Sequence, residues 1–173
     1  MYRFRDLLLI GSIGVIGHGC AQQGVDFVAR PGFKPTIRFE IRRASCDAVD
    51  GWAVRSLKGK SHTLYISPEV EISNSDIERV SVTVRRDSER SSEEPLVVIR
   101  LTKTGSQKLS KLTGDIAERG GTGAKRTSAL LVDGEVIVEV RATAQLTGGI
   151  FVLPRDFASS AEAESFAKGL IGQ

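Results

Sequence analysis

Residues that carry chemistry are scarce in this sequence: among its 173 residues there are two cysteines, two histidines and one tryptophan. His18 and Cys20 lie close to the N-terminus, which leaves Cys46 and His62 for the rest of the chain. These two are too few for the usual zinc ligand set unless carboxylates are recruited, and a single histidine gives little support to a Cys46 nucleophile. The sequence therefore predicts no catalytic, cofactor-binding or metal-binding residues, and a protein that is not an enzyme.

An excess of charge of one sign is absent as well. The chain has 24 lysines and arginines against 21 aspartates and glutamates, a net charge of +3, and the two signs are interleaved along it. Proteins that bind nucleic acid gather basic residues on one face or in one segment. The even spread therefore argues against a nucleic-acid partner.

The apolar run at the N-terminus is too short to cross a membrane as a helix, which takes about 20 residues. Residues 7–17 carry no charge and follow Arg3 and Arg5, in the basic-then-apolar order of a secretory signal. We predict that residues 1–20 are the signal peptide of an exported protein, found in the periplasm or anchored to a membrane. A buried N-terminal strand at residues 7–10 is the structural alternative.

Cys20 follows Gly19 at the place where a bacterial lipoprotein signal puts its lipid-bearing cysteine. Gly17 stands three positions earlier, where a leucine is usual. Lipidation of Cys20, which would attach the protein to a membrane, and simple cleavage of the signal therefore both stay open. Without a lipid, Cys20 can instead form a disulfide bond with Cys46.

Two helices and a hairpin carry the clearest local signals in the remaining chain. Leucine and isoleucine at helical spacing predict a helix over 103–119, and a capping box of Ser159 and Glu162 predicts a second helix over 160–171. The Asp133-Gly134 pair predicts a β-hairpin over 128–141, because both residues tolerate the positive φ angles of a type I′ turn.

Alternation of apolar and polar residues predicts the other strands, and the segment before them, residues 21–35, lacks periodicity and is predicted to be a linker. The folded domain is then 36–173. Strands followed by a helix, a hairpin, a strand and a helix predict an α+β fold, with two helices on one face of a mainly antiparallel sheet. The predicted strands lie at 37–42, 64–66, 80–85, 97–101 and 150–153.

Short motifs in a shared order resemble the head of the first periplasmic domain of SecD, an accessory subunit of bacterial protein export. The similarity covers residues 36–172, although Lys103 stands where the family usually has a proline. The motifs include residues 39–42, 64–69, 72–77, 98–102, 130–136 and 146–149, and the family-motif residues in the second half are Thr102, Gly105, Asp133, Gly134, Gly148 and Gly149. The resemblance implies structural roles for these six residues and a ferredoxin-like second half of the domain.

SecD itself spans the membrane many times and uses an intramembrane carboxylate to couple proton flow to movement. No segment after residue 20 is apolar enough to span, so this motor function is not implied. What the resemblance implies is a non-catalytic exported binding module that contacts unfolded polypeptide or an envelope protein, accessory to protein translocation or envelope maintenance. A structural envelope protein held in a complex by one folded partner, or a small hydrolase using His62, are the alternatives.

An exposed strand edge is the expected binding surface, because unpaired backbone groups can pair with any extended chain. We expect the loops at 87–94, 120–126 and 146–149 to border it. Lys125, Arg126 and Arg155 would add a weak, salt-sensitive preference for acidic segments.

Overall fold

The structure is a computed structural model that describes residues 24–32, 34–57, 62–87, 92–118 and 127–173. The predicted signal peptide, including Cys20, and the loop at 120–126 lie outside these residues. Among the described residues, no helix is long and apolar enough to cross a membrane. The elements in chain order are β1 (Val25–Val28), β2 (Phe39–Ser45), β3 (Ala53–Ser56), β4 (Thr63–Ile66), β5 (Ile72–Ser73), a 3₁₀ turn (Asn74–Asp76), β6 (Ile77–Asp87), β7 (Ser92–Leu101), α1 (Lys103–Glu118), β8 (Thr127–Val132), β9 (Glu135–Val140), β10 (Ile150–Val152) and α2 (Ser160–Ile171).

The fold is α+β, and its strands form two sheets where the sequence predicted one. The first sheet has the order β1-β6-β7-β10, and the second has the order β3-β4-β2-β8-β9 with the short β5 beside β2. All strand pairs within both sheets are antiparallel. Alternation reveals strands but not their partners, so the sequence could not separate the β6–β7 hairpin from the β8–β9 hairpin. The placement of both helices on one face and the ferredoxin-like second half stay predictions.

The second sheet curls until its outer strands touch. Leu57, directly after β3, forms a parallel bridge with Val136 of β9. Aliphatic residues form a second, smaller core in this sheet. They are Ala44, Leu57, Leu64, Ile66, Ala129, Leu131 and Val136.

The main core joins both sheets to both helices. Phe39 and Ile41 of β2 share it with Val80 of β6 and Ile99 of β7. The five helix residues predicted to be buried are all buried, which confirms the apolar face assigned to each helix: Leu109, Leu112, Ile116, Phe166 and Leu170.

The local signals at the helix ends and the hairpin turn are confirmed. Thr102 caps α1, since its Oγ1 accepts the Gly105 N–H at 3.0 Å. Ser159 caps α2 by accepting the Glu162 N–H at 3.2 Å. Asp133 has φ 51° and Gly134 has φ 82°, the left-handed pair that a type I′ turn requires.

Strand β1 lies within the segment expected to be a linker. Val25–Val28 pairs antiparallel with β6, in the register Val25 to Val82. Phe27 anchors the strand in the main core, with Lys168 of α2 above its ring at 5.5 Å. The sequence did not predict this strand, because four residues with one buried side chain are too short to show an alternating pattern.

The polar face of β2 also departs from the sequence prediction. Alternation places Glu40 in water, but the residue is only 5% exposed. Arg38 Nε and Arg42 Nε donate hydrogen bonds to its carboxylate at 2.6 and 2.9 Å. Arg42 of β2 and Arg38 directly before the strand therefore provide the partners that a buried carboxylate needs.

Candidate functional site

The outer edge of β10 offers free backbone groups for pairing. The Leu101 N–H donates to the Gly149 carbonyl and the Leu153 N–H donates to the Val97 carbonyl, both at 2.8 Å. Hydrogen-bonded pairs alternate in an antiparallel ladder, so the main-chain groups of Ile150 and Val152 point away from β7. No described strand pairs with this side of β10, and the Val152 side chain beside it is exposed.

The segment around β10 is held firmly against the domain. The Phe151 ring stacks on Phe39 with centroids 6.1 Å apart. Gly149 has φ 60°, and a Cβ there would overlap the Ser106 hydroxyl, so a side chain is excluded on two grounds. The Leu146 N–H donates to Thr113 Oγ1 at 2.9 Å. The edge is thus presented by a supported segment, as strand addition favours.

The edges of β1 and β3 are less open than that of β10. On β1, Gln173 Nε2 donates to the Val28 carbonyl at 2.9 Å. On β3, the chain directly after the strand is bridged to β9 through Leu57 and Val136. Exposed Val54 still makes β3 partly accessible. All four β3 residues are exposed, and β10 differs from both edges in that its outward backbone groups have no hydrogen-bond partner among the described residues.

Positive charge near β10 comes from Arg155. Its guanidinium lies over the rings of Phe157 and Phe166, 5.4 and 4.7 Å from their centroids. Glu162 Oε1 is 3.8 Å from the same group. Stacking and a partial ion pair hold this arginine near the surface, while Lys125 and Arg126 lie outside the described residues.

Four of the six family-motif residues lie together at the start of α1. Thr102 caps the helix and donates its own N–H to the Asp76 carbonyl at 2.8 Å. Gly105 allows the 3₁₀ turn to approach, because a Cβ would lie 2.8 Å from both Asp76 Cβ and Asp76 O. Gly149 packs on the next residue of the helix, Ser106, and Gly148 beside it faces open space.

Asp133 and Gly134 lie elsewhere, at the start of β2. Asp133 Oδ1 accepts the Arg38 N–H at 2.8 Å, and the Asp133 N–H donates to the Arg38 carbonyl at 2.8 Å. These two hydrogen bonds therefore hold the turn of the β8–β9 hairpin against Arg38, the residue directly before β2.

The sequence offered Cys46 and His62 as candidate residues without showing a third one. In the structure the two lie close together, and the carboxylate of Glu139 lies beside them. Cys46 Sγ lies 3.5 Å from His62 Nε2 and 3.9 Å from Glu139 Oε1. His62 Nε2 lies 3.5 Å from Glu139 Oε2. We call Cys46, His62 and Glu139 the Cys46 cluster. Sequence reasoning missed Glu139, because one glutamate on an alternating strand has no distinguishing pattern.

Charges around the Cys46 cluster keep its thiol protonated. Burial and the Glu139 carboxylate raise the pKa of Cys46, more than Arg141 lowers it. Burial also acts to raise the pKa of Glu139, but the hydrogen bond and charge of Arg141, with help from Thr127 and His62, leave it below its ordinary value. A protonated thiol beside an ionised carboxylate is a poor nucleophile.

Comparison with known proteins gives matches in structure alone. No protein family and no curated protein matches the sequence. A crystal structure of SecDF in a super-membrane-facing form matches with a TM-score of 0.52 and 16% identity, over 80% of this chain and 19% of that one. A second SecDF structure, described as a membrane component that enhances protein export, matches with a TM-score of 0.54 and 17% identity, over 80% of this chain and 63% of that one.

These matches establish a SecD-like fold for this chain. The chain corresponds to about a fifth of one SecDF chain and less than two thirds of the other. The likeness in fold agrees with the resemblance found in the sequence motifs, over the larger part of the chain.

Proposed function

We propose that this protein is an exported, non-catalytic module that binds extended polypeptide segments at the outer edge of β10. The observation that carries the proposal is the fold shared with SecDF, a component described as enhancing protein export. The same likeness supports a ferredoxin-like second half with both helices on one face. With it we propose an accessory role in translocation or envelope maintenance, in the periplasm or on a membrane.

The geometry of β10 supports strand addition as the binding mode. A bound segment would pair with the outward backbone groups of Ile150 and Val152, which adds a fifth strand to the first sheet. Backbone pairing tolerates many side chains, which suits a partner that varies in sequence. Three residues of edge give few hydrogen bonds, so we expect affinities in the micromolar range or weaker.

Arg155 adds charge selectivity to this edge. Its side chain is 37% exposed and shares its charge with Glu162. Exposed ion pairs contribute little and are screened by salt. The proposed preference for acidic segments is therefore small and falls as the ionic strength rises.

The proposal can be tested by titrating a reduced, permanently unfolded polypeptide into the purified full-length chain carrying Cys20→Ser, which prevents lipidation. Val152→Pro removes an N–H that points away from β7 and therefore leaves the ladder to β7 intact. We expect it to weaken binding about tenfold or more. Fluorescence anisotropy of the labelled polypeptide measures the effect.

Two controls separate backbone pairing from other causes. Val152→Ala keeps the N–H and removes the exposed side chain, so it should bind nearly as well as the parent. Val54→Pro makes an equivalent change on the edge of β3 and should leave binding unchanged. Equal loss in Val152→Ala and Val152→Pro would contradict backbone pairing.

The alternative function is a structural envelope protein with one folded partner. Failure to bind any unfolded chain, together with tight capture of one folded envelope protein, would favour it.

A further inference from the structure

One donor atom from each residue of the Cys46 cluster lies within 4.8 Å of the other two, close to the spacing that a tetrahedral zinc ion requires. Zinc binds sulfur at about 2.3 Å and nitrogen or carboxylate oxygen at about 2.0 Å, so neighbouring ligand atoms in a tetrahedron lie about 3.3–3.6 Å apart. Cys46 Sγ lies 3.5 Å from His62 Nε2, and the two carboxylate oxygens each approach one of these atoms: Glu139 Oε2 lies 3.5 Å from Nε2 and Glu139 Oε1 lies 3.9 Å from Sγ. Little movement is needed to place one ion in contact with all three.

The fold brings these donors from three different strands to one rim of the curled sheet. Cys46 directly follows β2, His62 directly precedes β4, and Glu139 is the penultimate residue of β9. The Leu57 N–H donates to the His62 carbonyl at 3.0 Å, which fixes the backbone of the histidine. Ser45 is buried, and its hydroxyl donates to the Asp47 carbonyl at 2.8 Å, which fixes the turn that carries the cysteine.

Burial and charge at the cluster suit a divalent cation. The Glu139 side chain is 11% exposed and His62 is 38% exposed, while Cys46 faces solvent. The ion would thus be held from one side and keep a fourth position for water. A carboxylate and a metal-bound thiolate supply two negative charges, which balance the charge of the ion.

Arg141 forms an ion pair with the Glu139 carboxylate. Its Nε and one terminal nitrogen lie 3.0 and 3.3 Å from the Glu139 oxygens. The arginine side chain is 71% exposed, so it can turn into solvent when a cation takes its place. Until then it orients the carboxylate toward the cysteine and histidine.

We propose that Cys46, His62 and Glu139 form a zinc-binding site with a water molecule as the fourth ligand. Thiolate, imidazole and carboxylate together are a ligand set typical of zinc, and three protein ligands leave one position open. The site would tie β2, β4 and β9 together across the rim of the curled sheet. This inference is independent of polypeptide binding at β10, which lies in the other sheet.

The test uses the full-length chain with Cys20→Ser, so that Cys46 is the single thiol. Titration with Zn²⁺ should saturate at one ion per chain and raise the melting temperature, because the folded chain alone brings the ligands together. Co²⁺ in place of Zn²⁺ should show the near-ultraviolet charge-transfer band of a cobalt thiolate. Cys46→Ser, His62→Ala and Glu139→Gln should each weaken Zn²⁺ binding about tenfold or more.

Glu135→Gln is the matched control, since it removes the same charge from β9 four residues away from Glu139. It should leave Zn²⁺ affinity unchanged. Circular dichroism of each metal-free variant shows whether it has folded. No saturable binding to the folded parent would overturn the site. Affinity unaffected by any one of the three ligand substitutions in a folded variant, or a cobalt spectrum without the thiolate band, would overturn it as well.

Discussion

The buried carboxylate of Glu40 is stabilised by two arginines that lie two residues before and after it in the sequence. Burial acts to raise the pKa of its carboxyl, but hydrogen bonds and charge from Arg42 and Arg38 outweigh this and hold the pKa below its usual value. A carboxyl whose pKa is lower in the folded state stabilises the fold at neutral pH. That contribution is complete above the unfolded pKa of about 4.3 and is lost as the pH falls through the lowered folded value.

We therefore expect Glu40→Gln to lower the free energy of unfolding by about 1–3 kcal/mol at neutral pH, because a charge-assisted hydrogen-bond pair is lost. The difference from the parent should shrink as the pH falls below about 4. Urea unfolding across this pH range measures it. Glu69→Gln is the control, because the Glu69 carboxylate is exposed, and it should change the free energy of unfolding little at any pH. If the loss of stability in Glu40→Gln stayed constant down to about pH 3, the ionic origin of the effect would be contradicted.

The two glycines of α1, Gly105 and Gly114, differ in whether a side chain would fit. A Cβ at Gly105 would lie 2.8 Å from the Asp76 backbone oxygen, a distance that real side chains essentially never show. A Cβ at Gly114 would lie 3.5–3.6 Å from the Gln145 side chain, which is ordinary contact. Close approach to Asp76 therefore requires glycine at position 105, and nothing comparable requires it at position 114.

Alanine at these two positions should have opposite effects. Gly114→Ala should stabilise the protein by up to about 1 kcal/mol, the usual gain from alanine in a helix. Gly105→Ala should destabilise it by about 1–3 kcal/mol, because the 3₁₀ turn must move away. Thermal unfolding of both variants checks the pair, and a gain in stability from Gly105→Ala would show that the turn yields freely.

At the scale of whole elements, the sequence correctly predicted the helices and the hairpin whose formation depends on residues close together in the chain. The start of α2 follows from the Ser159 cap, although Glu162 Oε2 accepts the Ala158 N–H and not the Ser159 N–H of a full capping box. The β8–β9 hairpin follows from Asp133 and Gly134, whose chemistry acts within four residues. The sequence could not predict that β1 pairs with β6, because its short pattern lacks periodicity. Nor could it predict the curl joined through Leu57 and Val136, which depends on packing across the sheet.

For the candidate site, too, the sequence predicted the local features and missed those that depend on contacts between distant residues. The sequence predicted an exposed strand edge together with the loops at 87–94, 120–126 and 146–149, but it could not say which strand supplies the edge, because strand order depends on pairing between distant segments. It predicted no metal site, because it could not show which carboxylate would join Cys46 and His62. Glu139 is 93 residues away from Cys46 and joins it only through the pairing of β2, β8 and β9.

Strand β1 is expected to contribute to stability through one side chain. Phe27 is 7% exposed in the main core, whereas Val28 next to it is 44% exposed. Phe27→Ala should lower the free energy of unfolding by about 3 kcal/mol, the lower end for this substitution, because an edge strand can partly collapse onto the gap. Val28→Ala should change it by less than about 0.5 kcal/mol. Urea denaturation compares the two, and equal small effects would mean that β1 is only loosely attached.

For the whole molecule, export remains the prediction with the widest consequences. Mass spectrometry of the protein from its native host should find a chain that begins at or close to Cys20, in the envelope fraction. If Cys20 carries lipid, Cys20→Ser should move the protein to the soluble fraction, because the acyl chains hold it to the membrane. Unchanged fractionation would indicate ordinary cleavage, and a cytoplasmic chain that keeps Met1 would refute export.

The pairing of β2 with β8 also sets when the domain can fold. Phe39 lies opposite Val132, so β2 can pair with β4 and β5 early but gains its partner β8 only about 90 residues later. Contacts between such distant residues require closure of a long loop first, which slows folding from microseconds toward milliseconds or seconds. During synthesis the N-terminal half therefore has no completed sheet to join. A chain exported as predicted would leave the ribosome still extended, in the state that a narrow translocation channel accepts.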